Sequence, residues 1–220
     1  MRKVCGIVSI IFVFSFVGLA YAQFGKGIGP GFHSDFTDFR PVVGGWSDYQ
    51  VTTKGEQPSK IRIAVVGKEG DAYWYETLME TKQEGRMITK MLVSGSPEDQ
   101  KNIKRIIVKK GNEPAMEMPV EMMQVSKPQE KKGKMIDSGT ESIKVPAGTF
   151  TTQRMQYQDG ERVVDHWVHK DVSPYGMVKS QSKDFDMVLL GYGTGAKTLI
   201  TETPQKFEMP QMPQMPSRRK

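Results

Sequence analysis

Cysteine and histidine are scarce in this chain of 220 residues, which contains one cysteine and three histidines. The lone Cys5 lies near the N-terminus, so a disulfide scaffold is excluded. The sequence also lacks a G-x-S-x-G nucleophile elbow and an H-E-x-x-H zinc motif. Without a recognisable nucleophile and base, we predict neither an enzyme nor a cofactor.

Long apolar runs are absent, with one exception at the N-terminus. Arg2 and Lys3 precede an almost wholly apolar stretch, residues 4–19, and Ala20 and Ala22 follow as small residues. This order is typical of a secretory signal peptide, residues 1–22, cleaved after Ala22. We therefore expect a periplasmic or extracellular protein with no transmembrane segment after cleavage. The alternative is an uncleaved membrane anchor.

Charge of one sign does not dominate the sequence. The formal net charge of +6 is spread along the chain and favours solubility rather than a particular partner. No basic stripe of the kind used on nucleic acid is evident. We expect no nucleic-acid partner, and the oligomeric state stays open.

The part of the sequence that does carry a pattern is a single β-rich domain, residues 46–204. Short β-prone runs alternate with turn signals, such as the Asp159-Gly160 pair that favours a tight hairpin. The arrangement predicts two antiparallel meanders. Their strands are expected at residues 46–53, 60–66, 72–81, 86–93, 135–145, 149–157, 162–169, 177–182, 185–192 and 196–203.

One helix is predicted between the meanders. Ser96 is a favourable N-cap, Pro97 suits the first helical position, and Gly111 can end the helix. An apolar stripe recurs at helical spacing: Ile103, Ile106 and Ile107. The predicted fold is mainly β (α+β), a curved antiparallel sheet or half-barrel of about eight to ten strands with this amphipathic helix across it.

Two flanking segments are predicted to lie outside the domain: a Gly/Phe-rich leader, residues 23–45, and a Met/Pro-rich tail, residues 205–220. In a polyproline II conformation, with three residues per turn, the tail's thioethers line one edge: Met209, Met212 and Met215. Thioether sulfur selects Cu(I). Soft-metal binding is therefore one hypothesis, and a plain disordered tail is the other.

Two motifs imitate ligand sites. Residues 191–198 (GYGTGAKT) resemble a phosphate loop, but Ala196 stands where glycine is needed and a β-prone run follows. Residues 165–171 contain His166 and His169, which a strand would point to opposite faces. We interpret the first motif as a Gly-rich connection and predict no metal site in the second.

Three short segments carry a resemblance to a family: VPAGTF at residues 145–150, DHWVHKDV at 165–172 and YGMVKS at 175–180. They resemble small exported bacterial proteins whose layout is similar to that of the LolA/LppX-like lipoprotein carriers. The resemblance covers about residues 46–204. It implies a half-barrel that holds an acyl chain or another hydrophobic ligand between sheet and helix.

The function predicted from these observations is non-enzymatic binding of a hydrophobic ligand, a lipid or an acylated protein. Five side chains are expected to line the space between helix and sheet: Ile103, Ile106, Ile107, Trp74 and Trp167. The alternatives are Cu(I) handling by the Met-rich tail and a purely structural role in the cell envelope.

Overall fold

The structure is a computed structural model, and it describes residues 38–82, 85–122 and 134–207. These residues form twelve β-strands. The strands are β1 (Trp46–Thr53), β2 (Ser59–Glu69), β3 (Ala72–Thr81), β4 (Gly85–Val93), β5 (Ile103–Lys110), β6 (Met116–Met118), β7 (Lys134–Val145), β8 (Gly148–Asp159), β9 (Arg162–Val168), β10 (Met177–Ser182), β11 (Phe185–Gly193) and β12 (Gln205–Lys206).

All twelve strands belong to one sheet, in the order β12-β6-β5-β4-β3-β2-β1-β11-β10-β9-β8-β7. The first meander runs from β1 to β6, and the second runs from β7 to β11. The two are joined where β1 pairs antiparallel with β11. The short β12 adds a parallel pair at the edge, beside β6. The sheet is therefore one continuous layer built from two meanders.

One face of this sheet, which we call the inner face, holds the main core. Alternate residues of β1 point into it, as the burial of Tyr49 and Val51 shows. Ile106 of β5 and Phe150 of β8 belong to the same cluster although their strands lie far apart in the sheet. The sheet must therefore curve around this core, with an outer face on the other side.

The inner face is covered by the segment before β1 and by the loop between β9 and β10. Phe39 packs against Tyr75 and Tyr175, with ring centroids 6.0 and 5.6 Å away. The hydroxyl of Tyr49 donates a hydrogen bond to the carbonyl oxygen of Met177 at 2.9 Å. Burial raises the pKa of all three tyrosines. Among the described residues, this face is filled by protein side chains.

The outer face carries a smaller apolar cluster, covered by the chain that follows β11. Ile88 and Ile107 pack there with Ile200. The buried carboxylate of Glu76 anchors the covering segment, since it accepts hydrogen bonds from Thr198 Oγ1 at 2.6 Å and Leu199 N at 2.9 Å. An ion pair between Lys109 and Glu202 adds a second contact.

The mainly β class is confirmed, but the helix prediction is wrong. The predicted segment contains a 3₁₀ turn, Gln100–Asn102, followed by strand β5. A bulge in the β4–β5 pairing puts Ile103 and Ile106 on the inner face despite their spacing of three, while Ile107 faces outward. The extra residue at the bulge thus gives the buried residues of this strand a spacing of three, as in a helix. None of the helices that the structure describes is long and apolar enough to cross a membrane.

The predicted strand count is too low, and one predicted strand is wrong. Strand β5 stands where the sequence indicated a helix, β12 lies in the segment predicted to be a tail, and no strand was predicted at β6. Residues 196–203, expected to be a strand, form the irregular segment that covers the outer cluster. The hairpins of both meanders otherwise follow the predicted order.

Candidate functional site

A groove of about 460 Å³ opens on the outer face, where the two meanders join. Its walls come from strands β1, β2, β3 and β11. Apolar side chains and four charged groups line it: Trp46, Asp48, Lys60, Ile61, Arg62, Leu78, Glu80, Leu190 and Gly191. The volume falls within the range of about 300–1,000 Å³ that is usual for small-molecule sites.

The position of Trp46 depends on a glycine of β11. Trp46 is paired with Gly193 across the strands, whereas a Cβ on Gly191 would lie 3.6 Å from its ring, an ordinary contact distance. A Cβ on Gly193 would lie 3.2 Å from the indole, which is too close for an unshifted ring. The indole Nε1 donates to the carbonyl oxygen of Thr194 at 3.3 Å. The Gly-x-Gly motif therefore seats a tryptophan rather than a phosphate.

The charged residues of the groove are cross-strand neighbours. Asp48 lies opposite Arg62, and their side chains form an ion pair with an Nε–Oδ1 distance of 3.3 Å. Lys60 lies opposite Glu80. Burial raises the pKa of Asp48, an effect that the positive charge of Arg62 partly offsets. The groove thus combines an apolar wall with one ion pair, Asp48–Arg62, that is partly removed from water, while Lys60 and Glu80 are exposed.

These features make the groove the candidate binding site. A concave pocket that combines apolar walls with polar groups and a perturbed carboxylate is typical of a ligand site. Sequence reasoning missed it because its residues come from four strands whose register was unknown. The one local signal was the Gly-x-Gly pattern, whose meaning depends on the tryptophan opposite.

The five side chains predicted to line a binding space do not lie together. Ile103 and Ile106 are buried in the inner core, whereas Ile107 and Trp74 belong to the outer cluster. Trp167 also lies on the outer face, in register with Lys179 of β10, but several strands away from Trp74. Its Nε1 donates to Glu141 Oε2 at 2.8 Å. The lid helix that was to unite these residues is absent from the part of the chain that is described.

A second groove, of about 300 Å³, lies at the sheet edge formed by β5, β6 and β12. Arg105 and Glu117 cross it as a two-point hydrogen-bonded pair, with distances of 2.7 and 3.2 Å. The arginine and the carboxylate of this groove are therefore already matched to each other.

Residues 38–82, 85–122 and 134–207 contain no cluster of three or more His, Cys, Asp or Glu side chains able to hold a metal ion. His166 is fully buried in β9, while His169 follows the strand and packs on Phe150 at 5.5 Å. Met209, Met212 and Met215 lie outside the described residues, so Cu(I) binding by the tail stays a prediction.

No protein-family model matches the sequence, and no curated protein is significantly similar to it. Several solved structures are similar in fold. MucB in complex with MucA(peri) has a TM-score of 0.44 at 9% identity, and the match covers 77% of this chain and 55% of MucB. The hypothetical protein CT021 of Chlamydia trachomatis has a TM-score of 0.41 at 13% identity, covering 76% of this chain and 94% of that protein.

An exported protein of Bacteroides fragilis with a YmcC-like fold has a TM-score of 0.35 at 10% identity, and the match covers 72% of this chain and 100% of that protein. At these scores the comparison assigns no role to any residue of the groove. The likeness to lipoprotein carriers stays a prediction.

Proposed function

We propose that this protein is an exported, non-enzymatic binding protein that holds a hydrophobic ligand, such as an acyl chain, in the outer-face groove beside Trp46. The observation that carries the proposal is the groove itself, about 460 Å³ with walls that include Trp46, Leu78 and Leu190. Burial of a chain against such walls is favourable at roughly 25 cal/mol per Å² of apolar surface.

The outer groove is a better candidate than the inner face, on which a carrier fold would hold its ligand. Tyr49, Ile63, Met187 and Leu189 are all 0% exposed on the inner face. Native interiors are packed at the density of organic crystals, so a chain could enter there only by displacing these residues. The outer groove is already open and requires no such rearrangement.

Export is the part of the proposal that depends on the sequence. The segment that predicts a signal peptide, residues 1–22, lies outside the described residues. An acylated partner or a free lipid would both be available to an exported protein at the cell envelope. N-terminal sequencing of the mature protein should find Gln23 as the first residue, whereas retention of Met1 in membranes would indicate an anchor.

Native mass spectrometry of the protein purified from its own envelope tests the binding function. The wild type should carry an additional mass that organic extraction releases as a lipid or another amphiphile. Leu190→Arg, which places a charge in the apolar wall, should lose this mass. Gln181→Arg is the matched control, since Gln181 is exposed on the neighbouring strand and lies outside the groove.

A wild-type protein without any bound molecule would contradict the proposal and favour the structural alternative. An additional mass that persists unchanged in Leu190→Arg would place the ligand elsewhere. Circular dichroism must show that both variants are folded, so that loss of the ligand is not caused by loss of the sheet.

A further inference from the structure

Each of the three tryptophans of the protein has an arginine near its ring. The guanidinium carbon lies 4.3, 5.2 and 5.9 Å from the indole centroid in the respective pairs Arg62–Trp46, Arg105–Trp74 and Arg154–Trp167. All three pairs belong to the outer face. They can therefore be compared directly, since the aromatic partner is the same.

Two of the arginines direct their donors to carboxylates of the protein. Arg105 binds Glu117 through Nε and an Nη atom at 2.7 and 3.2 Å. Arg154 binds Asp165 through Nε and an Nη atom at 3.0 and 2.6 Å. Arg105 thus forms a bidentate pair with both oxygens of Glu117, whereas the two donors of Arg154 share Asp165 Oδ1. These two arginines have a structural role that is already satisfied.

Arg62 differs from them. Among the described residues it donates no hydrogen bond, although Nε is within ion-pair distance of Asp48. The Nε atom is buried without an acceptor. A buried donor without a hydrogen-bond partner costs free energy, and the cost is larger when the donor belongs to a charged group. The arginine that lines the groove is therefore the one with donors left over.

The charges around Arg62 decide what it can accept. Lys60, on the same strand and the same face, adds a second cation to the groove wall, and Glu80 opposite Lys60 is exposed to solvent. Asp48 faces Arg62 from β1 but does not fill its hydrogen-bonding positions. Nε itself is closed to a ligand, but the Arg62 side chain is 37% exposed. An anionic oxygen of a ligand can therefore bind the Nη donors and would also be attracted by Lys60.

We propose that the groove selects amphiphiles with a single anionic group, a carboxylate or a phosphate, which Arg62 binds while the alkyl chain lies against Trp46 and Leu190. This inference rests on the proposed function, since it names the chemical class of ligand for the same groove. It further assigns Arg62 as the residue that determines specificity.

The test uses a matched series of amphiphiles with one alkyl chain: dodecanoate, dodecyl phosphate, dodecanol and dodecyltrimethylammonium. Each is titrated below its micelle concentration into full-length mature protein after removal of bound lipid, and binding is measured by calorimetry. The two anions should bind about tenfold or more tightly than dodecanol, because a hydrogen bond to a charged group is worth about that factor. Dodecyltrimethylammonium should bind more weakly than dodecanol.

Two variants compare Arg62 with the arginine of another Trp–Arg pair. Arg62→Gln should remove the preference, so that dodecanoate and dodecyl phosphate bind no more tightly than dodecanol. Arg105→Gln, which alters the Trp74 pair outside the groove, should retain the full preference. Comparison of dodecanoate with dodecyl phosphate distinguishes a fatty-acid-like ligand from one with a phosphate headgroup.

The outcomes are distinguishable. Equal binding of dodecanol and dodecanoate, or a preference that survives Arg62→Gln, would overturn the assignment of Arg62 and leave the groove as an apolar site. A preference for the cationic probe would overturn it as well. Binding of none of the four probes would refute both this inference and the proposed function.

Discussion

Replacement of Ile106 by alanine tests whether the inner face is a filled core or a ligand cavity. Ile106 is 0% exposed and lies in register with Met91 of β4, within the main core cluster. Ile→Ala substitutions in packed cores cost about 2–5 kcal/mol, and the cost is larger where the surroundings cannot collapse. Because paired strands flank Ile106 on both sides, we expect a loss of about 3–4 kcal/mol in the free energy of unfolding.

Urea denaturation followed by tryptophan fluorescence measures this loss, and an unchanged m-value shows that the unfolding transition is otherwise the same. Lys104→Ala on the same strand is the control, because Lys104 is exposed and loses only a surface ion pair with Asp71, so stability should change by less than about 1 kcal/mol. A loss of less than about 1 kcal/mol for Ile106→Ala would contradict a filled inner face. Such a result would favour a ligand cavity on the inner face.

Three further predictions concern the outer face. Gly193→Ala should lower the free energy of unfolding by about 1–2 kcal/mol because its Cβ would lie 3.2 Å from the Trp46 indole, whereas Gly191→Ala, at 3.6 Å, should be close to neutral; equal losses in urea denaturation would refute the seating role of Gly193. Arg62→Gln should raise the pKa of Asp48 further, since Arg62 opposes the effect of burial; a carboxyl ¹³C NMR titration with an unchanged pKa would contradict this. Arg105 lowers the pKa of Glu117, so the pair stabilises the fold above the unfolded-state pKa of Glu117 and stops doing so as the pH falls through its folded-state pKa. Glu117→Gln should therefore cost about 0.5–1 kcal/mol at neutral pH and have little effect in acid. A cost that is independent of pH would argue against an ionic contribution.

The local turn chemistry was predictable from the sequence. The predicted hairpin at Asp159-Gly160 is present, with Gly160 at a φ of 60° in the two-residue connection between β8 and β9. The strand at residues 46–53 was likewise predictable, although its alternation alone did not indicate that Tyr49 and Val51 are on the buried side. Signals of this kind depend on a few neighbouring residues, so a single sequence contains them.

The helix prediction was wrong because the segment is stabilised by a partner strand. Ser96 and Pro97 are good helix-start residues, yet the segment after them contains a run of isoleucine and valine, which favours a strand. Pairing with β4 stabilises the strand, and the bulge beside Ile103 alters the spacing of its buried side. Neither the partner strand nor the bulge is visible in the spacing of apolar residues alone.

The candidate site was not predictable, because it depends on long-range pairing. Trp46 and Gly193 are brought together only when β1 of the first meander pairs with β11 of the second. Arg62 and Asp48 likewise become neighbours through the β1–β2 register. One sequence does not reveal which strands are adjacent, so the residues of the groove could not be grouped in advance.

The most direct test of the central claim, that an apolar chain lies beside Trp46, is quenching of tryptophan fluorescence by a brominated alkanoate. Trp74→Phe combined with Trp167→Phe leaves Trp46 as the single fluorophore among the three tryptophans. We predict saturable quenching in this protein and little quenching in one that retains only Trp74. Absence of quenching for Trp46, or equal quenching of both proteins, would contradict ligand binding in the groove.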